Sequence, residues 1–225
     1  MTRSFVVGVL GGIVVALAAV TAQNPGPAAA RPDPASVKLV GDRFKPLAYA
    51  DMTAPQKKMF ENLISGERRG ASGPFNVLLR SPEMGDLVQQ FGASMRFHST
   101  IPSKLNEMAI IITARYWTAQ YEWYAHKRAA LAAGLSPAIV EAIQNGRRPA
   151  AMSKDEDIVY TFCNEVLTTK HASDATFAAT KGAFGEKGVV DLMGVMSWYQ
   201  MVSMLLNVDR YPLPDGVQPE LKPLS

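Results

Sequence analysis

The sequence has few of the residues that cross-link exported proteins or bind metals. Among its 225 residues there is a single cysteine, Cys163, and there are only three histidines. One cysteine excludes an internal disulfide, so the stability of the folded chain has to come from packing. His98 and His171 have no helical relation to His126, so the histidines do not suggest a histidine-rich metal site.

The N-terminal residues are typical of an export signal. Met1-Thr2-Arg3 precedes an uncharged apolar run from Ser4 to Ala22, which predicts a secretory signal peptide over residues 1–22. The run approaches the ~20 residues of a membrane span, so a retained anchor is the alternative, although its glycines favour cleavage. We therefore predict an exported protein, periplasmic or secreted, with no membrane attachment after cleavage.

A strong excess of either charge is also missing. The whole sequence has 23 Lys and Arg against 20 Asp and Glu, and loss of Arg3 with the signal leaves 22 against 20. Nucleic-acid binding normally needs a clustered basic stripe. The pairs Arg68–Arg69 and Arg147–Arg148 are too short to form one. We interpret both pairs as solvated surface and predict no nucleic-acid partner.

Helix signals dominate the rest of the chain. Residues 23–38 are rich in Pro and Ala and predict a linker, which leaves a single domain over residues 39–212 and a C-terminal tail over 213–225. No segment shows sustained strand alternation, so we predict an all-α domain. Predicted helix starts with capping or N-terminal proline signals lie at Thr53–Gln56, Ser81–Pro82, Ser136–Pro137, Ser153–Glu156 and Ser173–Asp174.

The last helical segment, from Gly188 to about Asn207, is apolar nearly all round. Such a helix is buried either by its neighbours or by another subunit. We expect the chain to self-associate, because this segment would expose a large apolar surface in a monomer.

Glu122 and His126 are the strongest candidates for chemistry. They are four residues apart on a predicted helix and therefore share one face. An ionisable pair in apolar surroundings has pKa values that suit proton transfer, although a pair that only satisfies itself is the alternative. Glu107 interrupts an apolar face fifteen residues before Glu122, roughly 22 Å away in one straight helix. Cooperation needs a helix break, for which Thr118 could cap a second helix, or a symmetry-related chain.

These residues resemble a known family. The order Leu105–Ile110, Ala119–His126, Ala133–Ser136 is similar to the carboxymuconolactone decarboxylase family, which includes the AhpD-type alkylhydroperoxidases. The resemblance covers roughly Met52 to Pro212. In the peroxidase branch the motif is Glu, eleven residues, Cys-x-x-Cys, three residues, His. Here Ala119 and Glu122 stand at the cysteine positions, so peroxide reduction by a thiolate and a resolving thiol is not expected. We interpret Cys163 as a buried inert thiol.

The decarboxylase branch resembles the chain better, since it has His-Glu, three residues and His where this sequence has Tyr121-Glu122 and His126. The resemblance implies an AhpD-like helical bundle that assembles as a trimer or hexamer. It also implies cofactor-free proton transfer on a small acidic or lactone-like substrate. His126 would donate the proton, Glu122 would orient it or act as base, and Glu107 would tune both. The alternative is an AhpD-like relative that lost its redox cysteines and acts as a binding or stress-related module.

Several further residues are candidates for substrate contact. Tyr121 and Trp123 belong to an aromatic set around the pair that could line a pocket for a planar ligand, although helical spacing splits the set, so that some members are core or subunit contacts. Asn76 follows Pro74-Phe75 in a turn that the family often uses to form its pocket, and turn chemistry is the alternative. Tyr199 could reach the cavity from the last helix, with packing as the alternative. Two carboxylates and one histidine also match the ligand types of a mononuclear metal site, but we predict no metal.

Overall fold

The computed structural model describes residues 32–223, and these residues contain eight α-helices and no β-strand. The all-α prediction is therefore confirmed. The predicted signal peptide and the first part of the predicted linker lie outside the described residues. Short 3-10 turns occur at Pro34–Ser36 and Tyr49–Asp51. The helices are α1 (Ala54–Ser65), α2 (Phe75–Leu78), α3 (Pro82–Phe97), α4 (Ser103–Tyr116), α5 (Gln120–Ala132), α6 (Pro137–Gln144), α7 (Lys154–Thr169) and α8 (Asp174–Asp209).

Local side-chain chemistry sets the helix starts. Both predicted capping boxes are present: Gln56 accepts a hydrogen bond from the Thr53 N–H at 2.9 Å, and Glu156 accepts one from the Ser153 N–H at 2.7 Å. Such reciprocal bonds satisfy amide groups that the first helical turn leaves without partners. Helices α1 and α7 therefore begin where the sequence predicts.

Helix α4 forms the centre of the domain. It packs against α5, α7 and α8, and every residue from Leu105 to Arg115 is buried. A helix that is covered on all sides has no polar face to offer to water. Glu107 therefore lies in the domain interior, where a carboxylate needs a partner.

Helix α8 is longer than the predicted segment because two helices join across Gly185, where φ is 70° and the helical backbone is interrupted. By length and composition alone, α8 is apolar enough to cross a membrane. More than half of its most apolar stretch is buried inside the described fold, however, including the large side chains of Trp198 and Tyr199. We therefore describe α8 as a core helix of this domain.

Helices α3 and α8 both leave large apolar side chains exposed, and they meet at Phe91 and Gly194. Leu87 is 70% exposed and Val190 is 60% exposed. Phe91 of α3 lies against Gly194 of α8, at 3.6 Å from the position of an added Cβ. Self-association stays a prediction, and these exposed side chains are where we expect it. The other exposed apolar side chains of the two helices are Met84, Phe97, Phe177, Met193, Met204 and Val208.

Candidate active site

A sharp reversal between α4 and α5 builds the site. Helix α4 ends at Tyr116, Thr118 adopts a left-handed conformation with φ of 50°, and α5 begins at Gln120. The predicted break is therefore present, but Thr118 is not the cap. Ala119 occupies the N-cap position of α5, and the Thr118 hydroxyl instead accepts a hydrogen bond from Arg115 at 3.3 Å. The reversal makes α4 and α5 neighbours.

The reversal brings Glu107, Glu122 and His126 together within one chain. The Nδ1 atom of His126 lies 2.6 Å from a Glu107 carboxylate oxygen, and Nε2 lies 3.0 Å from a Glu122 oxygen. All three side chains are buried, with exposed fractions of 7% for His126, 11% for Glu107 and 5% for Glu122. The imidazole is therefore held between two carboxylates, one on each ring nitrogen.

The two carboxylates determine the charge of His126. Burial alone lowers the pKa of this imidazole, but Glu122 and Glu107 outweigh burial by charge and by hydrogen bonding, and together they raise the pKa to about 9. His126 is therefore an imidazolium at neutral pH, and both of its N–H groups donate to carboxylates. Within residues 32–223, no group of three or more His, Cys, Asp or Glu side chains is arranged to hold a metal ion.

A cavity of about 200 Å³ opens beside Glu122 and His126. This volume has room for a small organic molecule, since one water molecule takes about 30 Å³ in the liquid. Glu107 does not line the cavity, so it supports His126 from behind. The remaining wall comes from the segment before α2, from α3, from α5 and from α8, with Arg68, Ser72, Gly73, Pro74, Phe75, Arg96, Tyr121, Ala125, Trp198, Tyr199 and Val202.

Two of the predicted substrate-contact residues, Tyr121 and Tyr199, line this cavity. The ring of Tyr199 stands edge-on to His126, with 4.9 Å between ring centroids. Its buried hydroxyl has no hydrogen-bond partner among the described residues. Burial first, and then the charge of Glu122, raise the pKa of Tyr199. The phenol therefore stays neutral and keeps a proton that it can donate.

The ring of Tyr121 packs on Tyr211 at 4.4 Å. Burial and the neighbouring Tyr211 raise the pKa of Tyr121, so its hydroxyl also remains protonated at neutral pH. Tyr211 accepts a hydrogen bond from the Gly73 N–H at 3.1 Å. This contact ties the end of the chain to the loop that forms one side of the cavity.

The structure places Asn76 and Trp123 away from the cavity. Asn76 is fully buried, and its amide donates to the Phe44 carbonyl at 2.7 Å, so it fixes the segment before α1. The Trp123 indole N–H donates to Glu220 at 2.9 Å, on the side of α5 that holds the C-terminal tail. Both residues are therefore structural in this fold, and neither is in position to contact a substrate in the cavity.

Arg68 and Arg96 are cavity residues that the sequence does not predict. The expectation that the Arg68–Arg69 pair is solvated surface is wrong for Arg68, which is half-buried and lines the cavity. Arg96 is exposed near the end of α3 and lines the same cavity. No sequence signal separates Arg68 from Arg69, because the loop between α1 and α2 has no period that fixes which side chain turns inward.

Cys163 lies in α7 and is fully buried. Burial raises the pKa of its thiol, so the sulfur is protonated at neutral pH and has little nucleophilic character. It does not line the cavity beside His126. The position of the one cysteine in the sequence therefore gives no support to thiol chemistry in this cavity.

No protein-family model and no curated protein matches this chain. The resemblance to the carboxymuconolactone decarboxylase family thus depends on the quoted motifs alone.

Proposed function

We propose that this chain is a carboxymuconolactone decarboxylase-like enzyme that uses cofactor-free acid–base chemistry on a small organic acid. The observation that carries the proposal is the His126 imidazolium, held between Glu107 and Glu122 at 2.6 and 3.0 Å at the wall of a cavity. Perturbed ionisable groups beside a cavity are characteristic of sites of proton transfer. Glu122 and His126 face the cavity, and Glu107 holds the far side of the imidazole.

The reaction that these groups suit is decarboxylation next to an unsaturated system. The bond between carbon and the carboxylate breaks, carbon dioxide leaves, and the electron pair moves into the conjugated system as an enolate. The Tyr199 hydroxyl, which has no partner among the described residues, is available to donate to the enolate oxygen. A proton from Nε2 of His126 then reaches carbon, with Glu122 as the carboxylate that holds and passes it. Solvent restores the proton to His126.

Each carboxylate has a separate role in this scheme. Glu122 contacts the proton in transit, so it is a catalytic residue. Glu107 acts through Nδ1 and keeps the ring oriented with Nε2 toward Glu122, so it is a positioning residue. The same arrangement also serves proton transfer on an enol or lactone, because that reaction needs the same donor and acceptor.

The test is turnover of unsaturated five-membered lactones that carry a carboxylate, followed by NMR in D₂O. We expect carbon dioxide release, with one deuterium in the product on the carbon at which the enolate is protonated. Glu122→Gln should slow turnover about 10²–10⁴-fold, the usual contribution of a general acid or base, because an amide cannot pass a proton. The matched control is Glu67→Gln, since Glu67 is an exposed glutamate that also pairs with a histidine.

Two outcomes would contradict the proposal. One is equal turnover by Glu122→Gln and the unchanged protein. The other is robust reduction of an alkyl hydroperoxide in the presence of a dithiol, with no turnover of any lactone acid. That second result would favour a peroxidase relative over an acid–base enzyme.

A further inference from the structure

The guanidinium of Arg68 is a cation without a counter-ion in the described fold. It lies over the rings of Phe75, Phe97 and Trp198, at 5.4, 5.8 and 5.8 Å from their centroids. Within residues 32–223, no carboxylate lies within salt-bridge distance of it, and the ion pairs found among these residues involve other cations. Burial lowers the pKa of Arg68, yet a guanidinium keeps its charge at neutral pH.

Two nitrogens of Arg68 have unused hydrogen-bonding capacity. Nε and Nη2 are buried and have no hydrogen-bond partner among the described residues, and the same is true of the Tyr199 hydroxyl. Nε and Nη2 together form one edge of the guanidinium, the edge that binds a carboxylate through two parallel hydrogen bonds. Buried donors without acceptors are costly. All three atoms belong to residues that line the cavity beside His126.

The charges around the cavity also favour an anion. Arg68, Arg96 and the His126 imidazolium are positive, whereas Glu107 and Glu122 are negative. One positive charge is therefore left over. Both carboxylates contact ring nitrogens of His126. The charge of Glu122 is felt by Arg68 and opposes the lowering of its pKa, but Glu122 is not in salt-bridge contact with it. A ligand with one negative charge would complete the balance.

We propose that Arg68 is the specificity-determining residue of the cavity and binds the carboxylate of a planar monocarboxylic ligand through Nε and Nη2. The Tyr199 hydroxyl donates to a second oxygen of the ligand, the one that becomes the enolate oxygen in the proposed reaction. The Phe75 and Trp198 rings contact the apolar body of the ligand, and Arg96 at the exposed edge adds only long-range attraction. This inference deepens the proposed function by naming the binding group and the charge of the substrate.

The test is binding rather than turnover, measured by titration calorimetry with benzoate, its neutral isostere benzamide and the dianion phthalate. We expect benzoate to bind at least tenfold more tightly than benzamide. Phthalate should bind no more tightly than benzoate, because the cavity has one unbalanced positive charge. Arg68→Gln should weaken benzoate at least tenfold and leave benzamide unchanged. The benzoate affinity of Arg68→Lys should lie between those of the unchanged protein and Arg68→Gln, because lysine keeps the charge but cannot donate two parallel hydrogen bonds.

Two controls separate Arg68 from charge in general. Arg69→Gln is the same substitution at the adjacent exposed position, and it should leave benzoate affinity unchanged. Arg96→Gln should weaken benzoate binding by no more than about threefold, because water screens the charge of an exposed cation. Circular dichroism and thermal melting of each variant establish that it is folded.

Three results would overturn the proposal: benzamide binding as tightly as benzoate, equal benzoate affinity in folded Arg68→Gln and in the unchanged protein, or no benzoate binding at 10 mM. Failure of the proposed function gives a different pattern. If the cavity binds but does not catalyse, benzoate still discriminates Arg68→Gln from Arg69→Gln while no lactone acid is turned over. If the enzyme acts on neutral lactones, turnover persists and the Arg68 dependence is absent.

Discussion

Two histidine–glutamate pairs in this molecule have the same length and opposite surroundings. His126 lies 2.6 Å from Glu107, and His98 lies 2.6 Å from Glu67. The side chains of the first pair are 7% and 11% exposed, whereas those of the second are 62% and 53% exposed. Water screens the second pair and competes for its hydrogen bond. Contact distance alone therefore does not identify a functional ion pair.

The two pairs also differ in the number of carboxylates. His126 contacts two of them, whereas among the described ion pairs His98 contacts only Glu67. Glu122 occupies the other nitrogen of His126 at 3.0 Å. Two negative groups hold the proton of His126. Burial and the second carboxylate distinguish His126 from His98, and a cavity lies beside His126 and Glu122.

The largest expected difference between the two pairs is in stability. His126→Ala leaves Glu107 and Glu122 buried without a cation between them, which should lower the free energy of unfolding by about 3–5 kcal/mol. His98→Ala should shift Tm by less than about 2 °C, because exposed pairs contribute little. Urea unfolding at pH 7 and thermal melting measure both. Equal losses in the two variants would show that burial does not distinguish the pairs.

A second difference is in the pH dependence of stability. The pKa of His126 rises from about 6.5 in the unfolded chain to about 9 in the folded one. Its stabilising contribution is therefore complete below pH ~6.5 and is lost as the pH rises toward 9, by an order of 3 kcal/mol. The groups that face it are Glu107, Glu122 and Tyr199.

Urea midpoints from pH 6 to pH 9.5 measure this loss. His126→Asn should remove the part of the slope between pH 6.5 and 9 that the unchanged protein shows. A midpoint in the unchanged protein that does not fall over this window would refute the doubly paired imidazolium.

The smallest expected effect is the response of the imidazole to one carboxylate. Glu107→Gln removes the negative charge at Nδ1 but keeps a side chain that can accept a hydrogen bond. The pKa of His126 should fall toward its ordinary value, and an NMR titration of the ¹⁵N-labelled ring measures it. Glu67→Gln is the matched control and should leave the His126 titration in place. An unchanged titration in Glu107→Gln would mean that Glu122 alone holds the proton.

The sequence predicts the parts of this fold that local chemistry controls. Capping boxes at Thr53 and Ser153 mark the starts of α1 and α7 because they satisfy amides within one turn. The spacing of Glu122 and His126 predicts their contact because neighbours at i and i+4 share a helix face. Glu107 joins them only across a reversal whose exact turn at Thr118 the sequence does not specify, since a left-handed threonine has no clear signature.

Other parts of the site depend on packing that no local period records. Arg68 and Arg69 are adjacent and chemically identical, yet only Arg68 lines the cavity. The inward position of Arg68 is set by its packing on the rings of Phe75, Phe97 and Trp198, which come from three other segments of the chain. The sequence predicts that Asn76 and Trp123 contact substrate, but they lie away from the cavity. The Asn76 amide nitrogen donates to Phe44 and the Trp123 indole donates to Glu220, and both partners lie far away in sequence.

The reversal at Thr118 has one more consequence, for how new activities can arise on this scaffold. Glu107 and His126 are nineteen residues apart, so a single helical hairpin encodes all three members of the proton-transfer group. Arg68 and Arg96 come from segments outside that hairpin. Under the proposed function, the acid–base residues of the hairpin and the anion-binding Arg68 therefore come from separate stretches of the chain, although Tyr121 of the hairpin and Tyr199 of α8 also line the cavity. A library that varies only residues 68 and 96 would explore new ligands while the hairpin remains constant.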